Sequence, residues 1–266
     1  MATAGMAYGE RRFGAAYTVR LFATLLVLGG LAGFWAAAKD EPSTVSHATL
    51  AWVSLFLMSA LALLWLVLGK SALIINDAGV RSESLFGQQE MAWNQISETR
   101  YRVVPINLYA HLGLIGALIA MSSKSGKSGR AHLILTLLSG DDKKLKVTSY
   151  YRHADDAIGI ILERILPNKI QNVKARLQRG ETVTFGGVGL SATAVTWKTT
   201  SIPVSEITKA ELAGSNLRIK REGKWTSAVS VRSDKVPDVL VFLEVLESLA
   251  PQVKASGFDP LARVRI

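Results

Sequence analysis

Two uncharged apolar stretches, residues 21–38 (LFATLLVLGGLAGFWAAA) and 48–69 (ATLAWVSLFLMSALALLWLVLG), constrain this chain more than any other feature. At the helical rise they reach roughly 27 and 33 Å, against a bilayer hydrocarbon thickness of about 30 Å. Backbone in lipid must satisfy its own hydrogen bonds, so the runs read as helices. The link between them, KDEPSTVSH (39–47), has room for a turn and little else. Residues 21–69 are therefore expected to form a transmembrane helical hairpin, with the rest of the chain on one side of it.

Basic residues set the expected orientation. Arg11, Arg12 and Arg20 precede the first run, Lys39 in the link lies beside Asp40 and Glu41, and Lys70 follows the second. This predicts a protein integral to the cytoplasmic membrane with both termini in the cytoplasm. Trp35 and Trp52 fall near the outer end, Tyr17 and Trp65 near the inner end, where amphipathic rings favour the interface. Gly29, Gly30 and Gly33 supply a small-residue stripe for helix packing, either on the second helix or on a second copy. Ala36-Ala37-Ala38 resembles a cleavage site, but the run is long for a signal peptide and is expected to stay. Glu10-Arg11-Arg12-Phe13 lacks the rest of a twin-arginine signal. Residues 1–20 read as a cytoplasmic tail.

With 266 residues, the chain has room for the hairpin and one or two small domains. It contains no cysteine, which excludes disulfides, thiolate metal sites and cysteine nucleophiles. The net charge of +10 favours anionic partners, at about 1 kcal/mol per basic residue near a lipid surface. No nucleic-acid motif accompanies it, so membrane lipids and a protein partner or second copy are expected, and nucleic acid is not.

After Lys70 the periodicity changes. Strand-like runs 71–75, 80–86, 90–93, 96–104, 133–138 and 145–148 are separated by turn residues, and DDAIGIILERIL (155–166) has helical spacing. The order then recurs: runs 181–185, 189–193, 196–200, 204–212, 217–220 and 228–231 precede the amphipathic KVPDVLVFLEVLESL (235–249). AGVRSES (78–84) parallels VGLSATA (188–194), WNQISETRYR (93–102) parallels VSEITKAELA (204–213), and SGDDKKLKV (139–147) parallels REGKWTSAV (221–229). This is an internal repeat of a small β-sandwich or barrel closed by a helix. Residues 168–179 are expected to be a linking helix, with a break or kink from the preceding one near Pro167.

The repeats resemble an uncharacterised family of membrane-associated, pleckstrin-homology-like (PH-like) domain proteins. The residues that carry the resemblance are Arg179-Gly180, Phe185-Gly186, Gly189-Leu190, Pro203 to Ile207, Gly223-Lys224 and Val236-Pro237-Asp238. Asp238 stands where the family pattern often has Asn. Trp93 supplies the tryptophan of the fourth-strand motif in the first copy, and Val204 replaces it in the second. The resemblance covers about residues 70–250. Together with the apolar runs it gives the expectation of a membrane-anchored α+β chain: a tail (1–20), the hairpin (21–69), PH-like domain 1 (70–168), a linker helix with PH-like domain 2 (169–250) and a tail (251–266). The resemblance also implies binding or scaffolding rather than chemistry.

One segment interrupts the first copy: HLGLIGALIAMSSKSGKSGR (111–130). Its apolar part is too short to span a bilayer. It reads as strand core, as a loop resting on a membrane with Lys124, Lys127 and Arg130 on headgroups, or as a dock for a partner helix. Ser125-Gly126-Lys127-Ser128 is not a nucleotide loop, because Met121 stands where a Walker sequence needs glycine. The hairpin tip Lys220, Arg221, Lys224 and Trp225 is the other candidate headgroup contact. Only Arg81 is basic between Leu73 and Phe86, which disfavours specific phosphoinositide binding. His47, His111, His132 and His153 are scattered, and no catalytic glycine-serine or dinucleotide pattern appears. The expectation is a non-catalytic interaction or scaffold module without metal or cofactor, such as an accessory subunit of a membrane complex, or else an anionic-lipid-contacting sensor.

Overall fold

The computed structural model describes residues 10–15, 17–40, 47–85, 87–105, 131–149, 151–223 and 225–257. The chain divides into two compact units, Met1–Met91 with Tyr150–Ala154, and Ala92–Ser149 with Asp155–Ile266.

The first unit is built on strands β1 (Arg11–Gly14), β2 (Ala72–Ile75), β3 (Gly79–Ser84) and β4 (Gly87–Ala92), which form an antiparallel sheet in that order. The ALII of β2 is buried throughout, and Asn76 Oδ1 closes the next turn by accepting from the Ala78 and Gly79 amides, both at 3.0 Å. β1 pairs with β2 through Phe13↔Leu73 and Gly14↔Ala72. Helices α1 (Tyr17–Asp40) and α2 (His47–Lys70) therefore occupy the connection between two paired neighbours. Trp35 Nε1 donates to Ser54 Oγ at 3.1 Å and Trp65 Nε1 to Thr24 Oγ1 at 3.0 Å. Those pairings run in opposite senses along the chain, so the helices are antiparallel.

Both helices lie where the apolar runs placed them, yet among the described residues no helix is long and apolar enough to cross a membrane. This corrects the expected transmembrane hairpin, and with it the assignment as an integral protein of the cytoplasmic membrane with cytoplasmic termini. Crossing demands an unbroken apolar surface over the whole hydrocarbon thickness, and the described residues do not supply it. Leu25, Trp52, Phe56, Leu63 and Leu66 are nonetheless more than half exposed.

The second unit begins with a single 3₁₀ turn, Trp93–Gln95, and an antiparallel sheet of β5 (Ile96–Pro105), β6 (Ala131–Ser139) and β7 (Lys144–Thr148). Alternation is clean on β6, where Leu133, Leu135 and Leu137 are buried. Helix α3 (Ala154–Gln178) follows, with Asp155 and Asp156 in its first turn. It is continuous through Pro167, so of the break or kink expected there the break is ruled out. Proline forfeits one backbone hydrogen bond, but Ile161, Leu162, Ile165 and Leu166 before it and Val173 and Leu177 after it are all buried. Burial on both sides holds the helix together.

Strands β8 (Val183–Phe185), β9 (Val188–Leu190), β10 (Ala194–Trp197) and β11 (Thr200–Pro203) then form a second four-stranded antiparallel sheet. A 3₁₀ turn, Val204–Glu206, leads into β12 (Ile207–Ala213), β13 (Asn216–Arg221) and β14 (Ser227–Arg232). Another, Ser233–Lys235, leads into α4 (Val239–Leu249). Val239, Val241, Phe242, Leu243, Val245 and Leu246 of α4 are buried, and Phe242 meets Phe185 edge to face at 5.4 Å. Last comes β15 (Lys254–Gly257), which pairs parallel with β12.

Four antiparallel strands, a 3₁₀ turn, three strands and a helix thus occur twice. Their order makes β1 the counterpart of β8 and β2 that of β9, so 78–84 corresponds to the stretch around β10. The match of 78–84 to 188–194 is one strand out of step. It failed because β1 is separated from its partner β2 by the whole helical pair, and RRFG was read as tail.

Candidate interaction site

Asp238 is tied by polar contacts to two other elements, β5 and α3. It precedes α4 in the left-handed conformation, φ 49° and ψ 38°, which Asn and Asp tolerate better than other residues with a side chain. The Thr99 amide and hydroxyl donate to Asp238 Oδ1 at 3.0 and 2.7 Å, and the Asp238 amide returns a bond to the Thr99 carbonyl at 2.7 Å. Asp238 thereby acts as a one-residue strand partner on the outer edge of β5. Lys169 Nζ, from α3, donates to both carboxylate oxygens at 2.8 Å and to the Ser97 carbonyl at 2.7 Å. Thr99 is buried, and the Lys169 and Asp238 side chains are 17% and 20% exposed.

Beside this cluster lies a cleft of about 440 Å³, lined by Asn168, Lys169, Asn172 and Arg176 of α3, by Phe185, and by Pro237 and Asp238. Its cations are engaged. Lys169 holds Asp238, and Arg176 holds Glu181 at 2.8 Å. The Arg176 guanidinium, helped by Arg179, keeps the Glu181 carboxyl below its ordinary range. Arg232, with a lesser contribution from Arg102, does the same for Asp234. Among the described residues no group of His, Asp or Glu could hold a metal ion. The cleft therefore offers contact and shape.

Backbone crowding fixes the walls nearby. A Cβ on Gly186 (φ +64°) would lie 2.6 Å from the Lys235 carbonyl oxygen, and one on Gly189 would lie 2.3 Å from Thr196 Oγ1. Gly186 and Gly189 are thus sites of close approach, whereas nothing lies within 4 Å of a Cβ added at Gly180 or Gly223.

The second feature is the outer edge of β12. Lys209↔Lys254, Ala210↔Ala255, Glu211↔Ser256 and Leu212↔Gly257 give it a parallel strand in defined register. The lead-in is pinned: Val253 is buried and its amide donates to the Ala250 carbonyl at 2.8 Å, while Gln252 Nε2 donates to the Val204 carbonyl at 3.3 Å.

The sequence-derived candidates are distributed differently. Lys124, Lys127, Arg130 and Lys224 lie outside the described residues, as does 111–130 as a whole. Lys220 alternates outward between buried Ile219 and the turn, Arg221 is paired with Glu206, and Trp225 is fully exposed. Gly29, Gly30 and Gly33 face open space, with nothing within 4 Å of an added Cβ. Trp93 lies 6.0 Å from the Arg164 guanidinium, and Val204 is buried. Lys169 and β15 went unnoticed. The one available signal was Asp238, at a pattern position whose purpose only the backbone conformation reveals.

Residues 116–255 match the model of DUF6585, a family of unknown function, and the chain belongs to that family. The match runs from before β6 to within β15 and leaves the helical pair outside it. No curated protein matches the chain.

Proposed function

We propose that this DUF6585 member is a non-catalytic interaction module built from two PH-like repeats, which docks extended polypeptide by strand addition. The observation that carries the reading is the parallel pairing of β15 on β12. An unpaired strand edge offers a row of amides and carbonyls to any extended chain, and here that edge already accepts one. The paired state of the cations in the cleft supports binding over chemistry there. The test is hydrogen exchange of the full chain with a library of short extended peptides. Protection confined to residues 209–212 is the expected result. No protection of any strand edge at millimolar peptide would end the reading.

A second reading is favoured by Trp225, which is fully exposed at a turn beside Lys220 and Arg221. A large aromatic in that setting suits contact with anionic headgroups. It predicts salt-sensitive sedimentation with phosphatidylserine vesicles that Trp225→Ala abolishes. Equal sedimentation of the two proteins would remove Trp225 from the contact.

A further inference from the structure

The chain's two equivalent sheet edges are covered in different ways. On β5 a single residue, Asp238, meets Thr99 with side chain and backbone. On β12 a four-residue strand lies alongside. We infer that Lys254–Gly257 is a displaceable placeholder. The partner that replaces it is an extended segment of another protein, rich in β-branched or aromatic residues and running parallel to β12. This rests on the strand-addition reading and goes beyond it by naming the competitor and the character of the partner.

Three observations converge. The placeholder is Lys-Ala-Ser-Gly, and Lys, Ala and Gly are all depleted in strands. Across from it, Ala210 and Leu212 of β12 are buried inward-facing positions, and the register sets Ala255 and Gly257 opposite them. Those two residues bring almost no apolar area, so a segment carrying larger residues in the same register gains burial that the chain's own strand forgoes. Finally, the lead-in is tied down by Val253 and Gln252 immediately before the strand begins. That tether keeps the placeholder at high local concentration on its edge. A second copy of the chain would bring the same weak residues and gain nothing in pairing, which argues against it as the occupant.

The experiment compares the full chain with two variants. Ala255→Pro removes a ladder position from β15, and Ser256→Val with Gly257→Val strengthens it. The probe is a labelled synthetic peptide alternating valine and threonine between terminal lysines, followed by fluorescence anisotropy, with exchange at residues 209–212 to locate it. The apparent affinity should rise on the order of tenfold in Ala255→Pro and fall on the order of tenfold in the double variant, as expected when a competing state is depopulated or populated. Unchanged amide protection on β13 verifies that each variant is folded. Equal affinity in all three proteins, with protection at 209–212, would keep strand addition but overturn the placeholder. Failure of every variant to bind would sink both. A concentration-dependent dimer of Ala255→Pro that excludes the peptide would overturn the choice of partner.

Discussion

Asp238 combines a conformation that costs energy with a carboxylate that three donors converge on. A residue with a side chain in the left-handed region is held there by its surroundings, and here those are Thr99 and Lys169. Asp238→Ala strands a mostly buried ammonium and the Thr99 donors, and should cost about 2–4 kcal/mol in urea denaturation. Asp238→Asn keeps an acceptor and the backbone preference and should cost less. Gly189 is a second such point. Gly189→Ala places a methyl carbon against Thr196 Oγ1 and should cost about 1–3 kcal/mol. Adding Thr196→Ala removes that oxygen and should restore most of the loss, whereas simple additivity would show that the crowding is relieved some other way. Glu181 gives a pH signature. Its folded-state pKa is lowered by Arg176 and Arg179, so its contribution is fully present above the ordinary carboxylate value of about 4.3 and is lost as pH falls through the lower folded value. The stability difference between wild type and Glu181→Gln should therefore be constant near neutrality and shrink in acid below about pH 4, as read by thermal melts across that range. None of these roles was legible in composition or spacing. The sequence marks Gly186, Gly189 and Asp238 as pattern positions, but only the close approaches and the left-handed turn say what each does.

At the level of elements, much more could be read in advance. Strands such as β6 and β7 announce themselves because one face is buried and the other is not, and α4 does so by its apolar stripe. What escaped were elements specified from far away. The RRFG of β1 has no hydrophobic period of its own and exists because β2 pairs with it. The KASG of β15 is a strand only because β12 is beside it. Pro167 left a break or a kink open, and burial on both sides of it holds the helix continuous. Pro167→Ala should restore a donor to α3 and remove a ring from the preceding turn. The expected gain is about 1–2 kcal/mol once the entropy lost by the flexible unfolded chain is deducted, checked by the urea midpoint at constant m. A loss of stability would mean that the ring itself packs usefully. The hairpin α1–α2 shows the limit of reading an element from charge alone. Its position was right, and its placement across a bilayer was not supported by the described residues.

For the molecule as a whole, the decisive fact is where that hairpin enters. In the second copy the counterpart strands β8 and β9 are joined by Gly186-Gly187, with Phe185 opposite Val188. In the first, Gly14 lies opposite Ala72, and the Ala15 amide still reaches the Ser71 carbonyl at 3.2 Å after two 24-residue helices have intervened. Adjacent paired strands are about 5 Å apart, so whatever leaves β1 must come back to nearly the same point. A chain in which Gly-Gly replaces residues 15–71 should therefore keep the β1–β4 sheet, seen as unchanged amide protection on β2 and β3. The sheet behaves as a socket and the helical pair as an interchangeable fitting. Descendants of such a chain can exchange, lengthen or discard what is plugged in there while the rest of the architecture is inherited intact.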